Sequence, residues 1–248
     1  MASRRTSPGR PSWRDRAFVV RTYDFGEADR VIVLLTRGHG LVRGVAKGVR
    51  KSQSRFGSRL QPFVDVDVQV YPGRDPAKNL ATITAADTVE YYGARIIDDF
   101  DRYAAACAVM ETAEKLAYEE ADPHLFDLVR DALAALQTPS LPTLVLDAFI
   151  LRAAEHAGWG LSLYNCANCG APGPHKAFNA AVGGAVCNNC RPPGSLDVDP
   201  EALHTMWLIQ HGHPAPGEQV GQVHRATAAH LQYHLEAGLK TLRIMEQA

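Results

Sequence analysis

Alternation dominates the first third of the chain. Across residues 62–71 (PFVDVDVQVY), Val64, Val66, Val68 and Val70 fall on one side of an extended segment, with Asp65, Asp67 and Gln69 on the other. That period of two is the mark of a half-buried strand. Residues 17–25 and 30–36 are rich in Val, Ile, Phe and Tyr, and Thr36-Arg37-Gly38-His39-Gly40 supplies a turn into a third short strand at 41–46. Tyr71-Pro72-Gly73 closes the fourth strand, and residues 79–90 offer a fifth. Five short strands in about 75 residues suit a small closed barrel of the oligonucleotide/oligosaccharide-binding (OB) type. An SH3-like barrel is the structural competitor, and strand counting does not separate the two.

From Asp98 the period changes to that of helices. Asp98-Asp99 can cap a helix running to about Glu120, with Tyr103, Cys107, Met110, Ala113 and Ala117 as its apolar stripe. Asp122-Pro123 starts a second helix bearing Leu125, Leu128, Val129, Ala132 and Leu136 on one side. Residues 139–142 break it, and a third helix covers 143–157, ending at Gly158. Asp199-Pro200 begins a fourth, reaching about Gln210. A last helix is expected over 220–246, with Leu231, Leu235, Gly238/Leu239, Leu242 and Met245 as its stripe. The expected class is α+β: a barrel, then a helical bundle.

Charge divides the chain in the same place. The whole sequence of 248 residues has a formal net charge of −1, yet residues 1–80 hold 16 Lys/Arg against 7 Asp/Glu and the remainder is net acidic. Between Arg30 and Val64 stand eight cations and not one carboxylate: Arg30, Arg37, Arg43, Lys47, Arg50, Lys51, Arg55 and Arg59. A concentrated positive face attracts a polyanion and releases its counterions on binding; the plainer reading is a solvated face that aids solubility. Residues 1–14 read as a flexible basic tail and not a secretory signal, because no apolar core follows the charges. The longest apolar run, residues 31–35, is strand-sized, so no membrane span is expected and a cytoplasmic location is the default.

Four of the five cysteines form a pattern. Cys166-Ala-Asn-Cys169 and Cys187-Asn-Asn-Cys190 are separated by 17 residues, the spacing of a zinc ribbon. Each CxxC turn aims two thiolates at one ion, and two turns complete a tetrahedron with no open position, so the metal would be structural zinc. Disulfides or a vacated site are the alternatives. The intervening loop is rich in Gly and Pro, with a strand-like run at 180–186, which is hairpin chemistry and not core chemistry. Cys107, on an apolar helix face, reads as a small buried hydrophobe.

Little else suggests catalysis. No Walker loop, dinucleotide fingerprint or nucleophile elbow is present. Asp98, Asp99 and Asp101 read as a helix-start cluster, and Glu119, Glu120 and Asp122 as a solvated helix end. His230 and His234 share a helix face at metallopeptidase spacing, but Leu231 stands where the general base belongs. His211 and His213 lie in a loop without an assigned role.

The run FVVRTYDFGEADRVIVLLTRGHGLVRGVAKGVRKSQSRFGSRLQPF resembles the N-terminal domain of the RecO recombination-mediator family. Its most telling pieces are Tyr23-Asp24-Phe25-Gly26-Glu27-Ala28-Asp29, Ala46-Lys47-Gly48-Val49-Arg50-Lys51 and Ser54-Arg55-Phe56-Gly57. The order of barrel, helices and inserted CxxC…CxxC finger also agrees, over about residues 17–244. The resemblance implies an OB-fold at 15–90, a helical domain at 95–160 and 196–248, and a four-cysteine zinc finger at 161–195, with Cys166, Cys169, Cys187 and Cys190 as ligands. It implies a non-catalytic protein of the RecF pathway that binds single- and double-stranded DNA and anneals complementary strands. Such a protein acts with RecR to place RecA on DNA coated by single-stranded-DNA-binding protein, whose C-terminal tail it also binds. The basic barrel surface implied is Arg37, Arg43, Lys47, Arg50, Lys51, Arg55 and Arg59. Tyr23, Phe25, His39 and Phe56 are candidate stacking platforms, with barrel core as the other reading for Phe25 and Phe56. Arg102, Lys115, Arg130 and Arg152 are the cations available to a tail-binding groove. A protein scaffold with weak DNA binding, and a DNA-cleaving enzyme, are the competing classes.

Overall fold

A computed structural model describes residues 11–73, 80–215, 217–235, 239 and 241. The chain divides into two compact units: residues up to 93 together with 117–126, and 94–116 together with 127 onward.

The first unit is a closed barrel of β1 (Trp13–Phe25), β2 (Asp29–Thr36), β3 (Gly40–Ala46), β4 (Val64–Tyr71) and β5 (Ala81–Tyr91), in the order β1-β2-β3-β5-β4. β1 closes it by pairing with both β4 and β2, and its register shifts between Val19 and Arg21, the local bend a long strand needs to serve two neighbours. β3 and β5 pair in parallel, which a simple up-and-down meander does not produce, and the barrel is of the OB type. The alternating valines Val64, Val66, Val68 and Val70 are all buried, among Val19, Ile32, Leu34 and Ile83. β1 begins at Trp13, inside the segment expected to be tail.

Asp65 departs from the alternation. Expected on the solvent side, its side chain is fully buried and bonded by two guanidinium nitrogens of Arg16, Nε at 2.8 Å and an Nη beside it. Arg16 in turn lies 6.0 Å from the Phe126 ring, which packs on Phe18. The segment 117–126 explains this: its residues 117–120, expected to end the first helix, are not helical, and the segment belongs with the barrel. The Tyr118 carbonyl accepts from the Leu41 N–H at 2.7 Å, drawing the chain out of helical geometry. Gly40, at φ +65°, permits this approach, since a Cβ there would strike the backbone of Tyr118–Glu120.

The second unit is built on α1 (Phe100–Leu116), α2 (Pro123–Leu136, whose first turn lies with the barrel), α3 (Pro142–His156), α4 (Pro200–Gln210) and α5 (Val220–Leu235). α3 packs on α1, α4 and α5. The expected caps are in place: Asp99 accepts from the Arg102 N–H, Asp122 from Leu125 and Asp199 from Glu201. The α2 stripe is buried as expected, but of the α1 stripe only Met110 and Ala113 are. Tyr103 is exposed and Cys107 half-buried, whereas Ala104, Ala105, Ala106 and Ala108 are buried. Its alanines let neighbours approach on more than one side, so no single stripe forms. Gly238, Leu242 and Met245 of the expected last stripe lie outside the described residues, as do residues 1–10 of the tail.

The cysteine-bearing segment adds a three-stranded sheet, β6 (Ala177–Asn179), β7 (Gly184–Val186) and β8 (Leu196–Asp197), in the order β7-β6-β8. Residues 180–183, expected as strand, form the hairpin turn, where Asn179 Oδ1 accepts from the Val182 N–H. The hairpin is also core: Phe178 and Ala185 are fully buried with Leu203, Met206 and Val223 of α4 and α5. The finger therefore shares its interior with the helices and is not a separate lobe.

Replacing Arg16 with Ala strands a buried carboxylate and is expected to cost about 2–3 kcal/mol, read from the denaturant midpoint. Arg14→Ala removes only exposed contacts to Asp67 and Asp87 and should cost less than about 0.5 kcal/mol.

Candidate nucleic-acid interface and metal centre

The segment between β3 and β4 is a chain of tight turns. The N–H groups of Lys51, Ser54, Gly57 and Arg59 donate to the carbonyls of Gly48, Lys51, Ser54 and Phe56 at 3.0–3.2 Å. Phe56 and Leu60, both buried, anchor it in the barrel core. Its other end is tied to the β1–β2 turn, where Gly48 N–H donates to Asp29 Oδ1 (2.7 Å) and Arg50 N–H to the Ala28 carbonyl (3.0 Å). With the apolar side chains inward, Lys47, Arg50, Lys51, Arg55 and Arg59 are all exposed on one anchored loop. Arg55 lies over the Phe56 ring at 4.8 Å, and Arg59 donates to the Arg55 carbonyl at 2.9 Å.

The other two cations of the expected set stand apart. Arg43 is exposed in the middle of β3. Arg37 occupies the β2–β3 turn, at the end of the hairpin remote from Lys47, about 20 Å along the strand. In the same turn His39 donates to Asp15 Oδ2 at 2.8 Å and stacks on Trp13 at 3.9 Å. Of the aromatic candidates, Tyr23 and Phe25 are about half exposed near the β1–β2 turn, whereas Phe56 is core.

The run without carboxylates is not free of them in space. Asp24, just upstream, accepts from Arg30 Nε at 3.0 Å and lies 3.4 Å from an Arg50 nitrogen. A count along the chain missed this residue; the hairpin register pairing Asp24 with Arg30 is the signal that exposes it.

In the second unit the four cysteine sulfurs lie within 4.8 Å of one another. A tetrahedral ion bonded at about 2.3 Å needs sulfurs about 3.8 Å apart, and Cys169 and Cys187 are at 3.9 Å. All are free thiols, which removes the disulfide alternative. The Cys187 N–H donates to Cys166 Sγ, and this donor and the Cys169 N–H hold the Cys166 thiol down at about 6. Four thiolates this close repel without a cation between them, and the donor set fits a closed metal site. No other cluster of three or more ligand side chains occurs among the described residues.

The remaining candidates have structural partners. His230 is buried and donates from Nε2 to the Trp159 carbonyl at 2.8 Å, while Nδ1 meets no acceptor. Charging the ring would bury an unsatisfied proton, so its pKa falls to about 4. His234 stacks on Trp159. His211 donates to the Trp207 carbonyl, and the rings of His204, His211 and His213 stack around that indole. Arg102 donates to the carbonyls of Leu136 and Thr138 at the end of α2, and Arg130 pairs with Asp127 and Asp131. Both are thus engaged within the fold, while Lys115 is exposed and Arg152 half-buried.

A five-stranded OB-type barrel is thus followed by helices that carry a four-cysteine cluster able to hold a metal ion. Residues 11–92 match the family description "Recombination protein O N terminal", and residues 97–243 match "Recombination protein O C terminal". The chain belongs to the RecO family, whose role is that of a mediator in DNA repair and recombination. No helix among the described residues is long and apolar enough to cross a membrane.

Two measurements test these sites. A chelator strong enough to strip the cluster should lower the thermal midpoint of the helical unit, because Phe178 and Ala185 of the finger lie in its core; Cys166→Ser should do the same without chelator. An unchanged midpoint in both cases would remove the metal from the account. Separately, His230 contributes stability that is full above its unfolded pKa of 6.5 and is lost as pH falls toward 4, about 3 kcal/mol in all. Asp147, whose carboxyl is raised from 3.8 by burial, acts in the opposite sense in a window that opens above 3.8 and so overlaps that of His230. The comparison is therefore wild type against His230→Gln, which should flatten the slope between pH 6.5 and 4 in denaturant titrations.

Proposed function

We propose that this protein binds single- and double-stranded DNA through phosphate contacts from the 47–59 loop and brings complementary strands together without cleaving them. The observation that carries the reading is five exposed cations on one loop that Phe56 and Leu60 fasten into the barrel. Annealing requires two polyanions to approach, and a fixed cationic surface lowers their repulsion. Backbone contacts suffice, because strand pairing itself supplies the sequence information.

The principal contact set is Lys47, Arg50, Lys51, Arg55 and Arg59, with Arg43 extending it along β3 and Arg37 a separate, peripheral contact. Exposed Tyr23 and Phe25 add stacking surfaces for unpaired bases. Zinc is the metal that best fits four thiolates in a closed tetrahedral site, where it holds the finger in shape and leaves no position for chemistry. Family membership supports the remaining assignments: work alongside RecR, engagement of the C-terminal tail of single-stranded-DNA-binding protein, and delivery of RecA to the coated strand.

The double charge reversal Arg50→Glu/Lys51→Glu should weaken oligonucleotide binding by at least about tenfold near 0.1 M salt. It should also make the log–log salt slope for single strands shallower by about 1.4, two phosphate contacts at about 0.7 each. Annealing of complementary oligonucleotides should slow with it, while the far-ultraviolet dichroism stays unchanged. Wild-type binding and slope in a folded variant would place the interface elsewhere; strand cleavage in the presence of magnesium would indicate an enzyme.

A further inference from the structure

We propose that Asp24 is a built-in phosphate mimic that occupies Arg30 and Arg50 until a nucleic-acid backbone displaces it, and so tempers the protein's grip on DNA. The inference rests on the binding surface proposed above and assigns a regulating residue to it. Asp24 Oδ1 accepts from Arg30 Nε at 3.0 Å, and Oδ2 lies 3.4 Å from an Arg50 Nη. One carboxylate thus spans two guanidinium groups through separate oxygens, as a phosphate diester does through its two non-bridging oxygens.

Three further features fit a displaceable ion and not a structural tie. The first is access: the Asp24 side chain is 58% exposed, so a polyanion reaches the pair from solvent. The second is weakness. Exposed ion pairs contribute little net stability, whereas phosphate–Arg contacts in a charged polymer gain from bidentate geometry and counterion release. The third is redundancy. The loop is already held by the Arg50 N–H to the Ala28 carbonyl, by the Gly48 N–H to Asp29 Oδ1 and by buried Phe56 and Leu60. Asp29 therefore positions the loop, and Asp24 only occupies its charges. A surface that must take up strands and surrender them once they pair benefits from an internal competitor that returns as each strand leaves.

The test compares three full-length proteins titrated with a labelled oligothymidine at several salt concentrations: wild type, Asp24→Asn and Glu27→Gln. Glu27 is an exposed acid in the same turn for which no arginine partner occurs among the described residues, so Glu27→Gln reports the effect of one lost negative charge alone. Asp24→Asn should bind about three- to tenfold tighter than wild type, and Glu27→Gln less than about twofold tighter. The gain from Asp24→Asn should shrink in an Arg50→Gln background and largely vanish in Arg30→Gln/Arg50→Gln, where both contacts that Asp24 occupies are gone. Tightening no greater than that of Glu27→Gln, or a loss of affinity, would overturn the mimic while leaving the binding surface intact. Wild-type protein that shows no salt-sensitive binding would overturn both.

Discussion

The insertion of Phe56 and Leu60 into the barrel is the contact on which the exposed cationic loop depends. Five like charges on one loop repel one another and resist being held together. Two buried apolar side chains, four consecutive tight turns and two hydrogen bonds to the β1–β2 turn hold them nonetheless. Without the anchors the same residues would form a solvated, fluctuating segment, and each phosphate contact would carry the entropy cost of ordering it. The loop is therefore organised before any partner arrives.

Burial follows a similar logic elsewhere. Asp65 lies inside the barrel wall because Arg16 offers it two nitrogens, and Gly40 yields its side-chain space to the backbone of 118–120. In the helical unit the hairpin that the four cysteines bracket is part of the wall around α4 and α5. A metal held by those cysteines would stabilise more than its own loop, since the hairpin that they bracket carries Phe178 into the core.

Much of this was legible from the chain. Valine alternation marked β4, Asp-Pro and Asp-Asp marked helix starts, and the CxxC pair marked the four-cysteine cluster. What escaped were features set by contacts distant in sequence. Asp65 breaks the expected alternation and is buried, because Arg16 across the strand pair neutralises it. Residues 117–120 have helical composition but are diverted by a hydrogen bond to Leu41. Arg37 belongs to the same charge run as Arg50 but sits at the other end of a hairpin, a separation visible only in the strand register. Asp24 was overlooked for the converse reason: it lies outside the run along the chain and among its arginines in space.

The most direct test of the cationic loop as the nucleic-acid contact is an acetylation footprint of the full-length protein with and without a saturating oligonucleotide. Lys47 and Lys51 should lose reactivity when the oligonucleotide is present, while the exposed Lys115 and Lys176 of the helical unit keep theirs. Protection of Lys115 or Lys176, with Lys47 and Lys51 unchanged, would contradict the account.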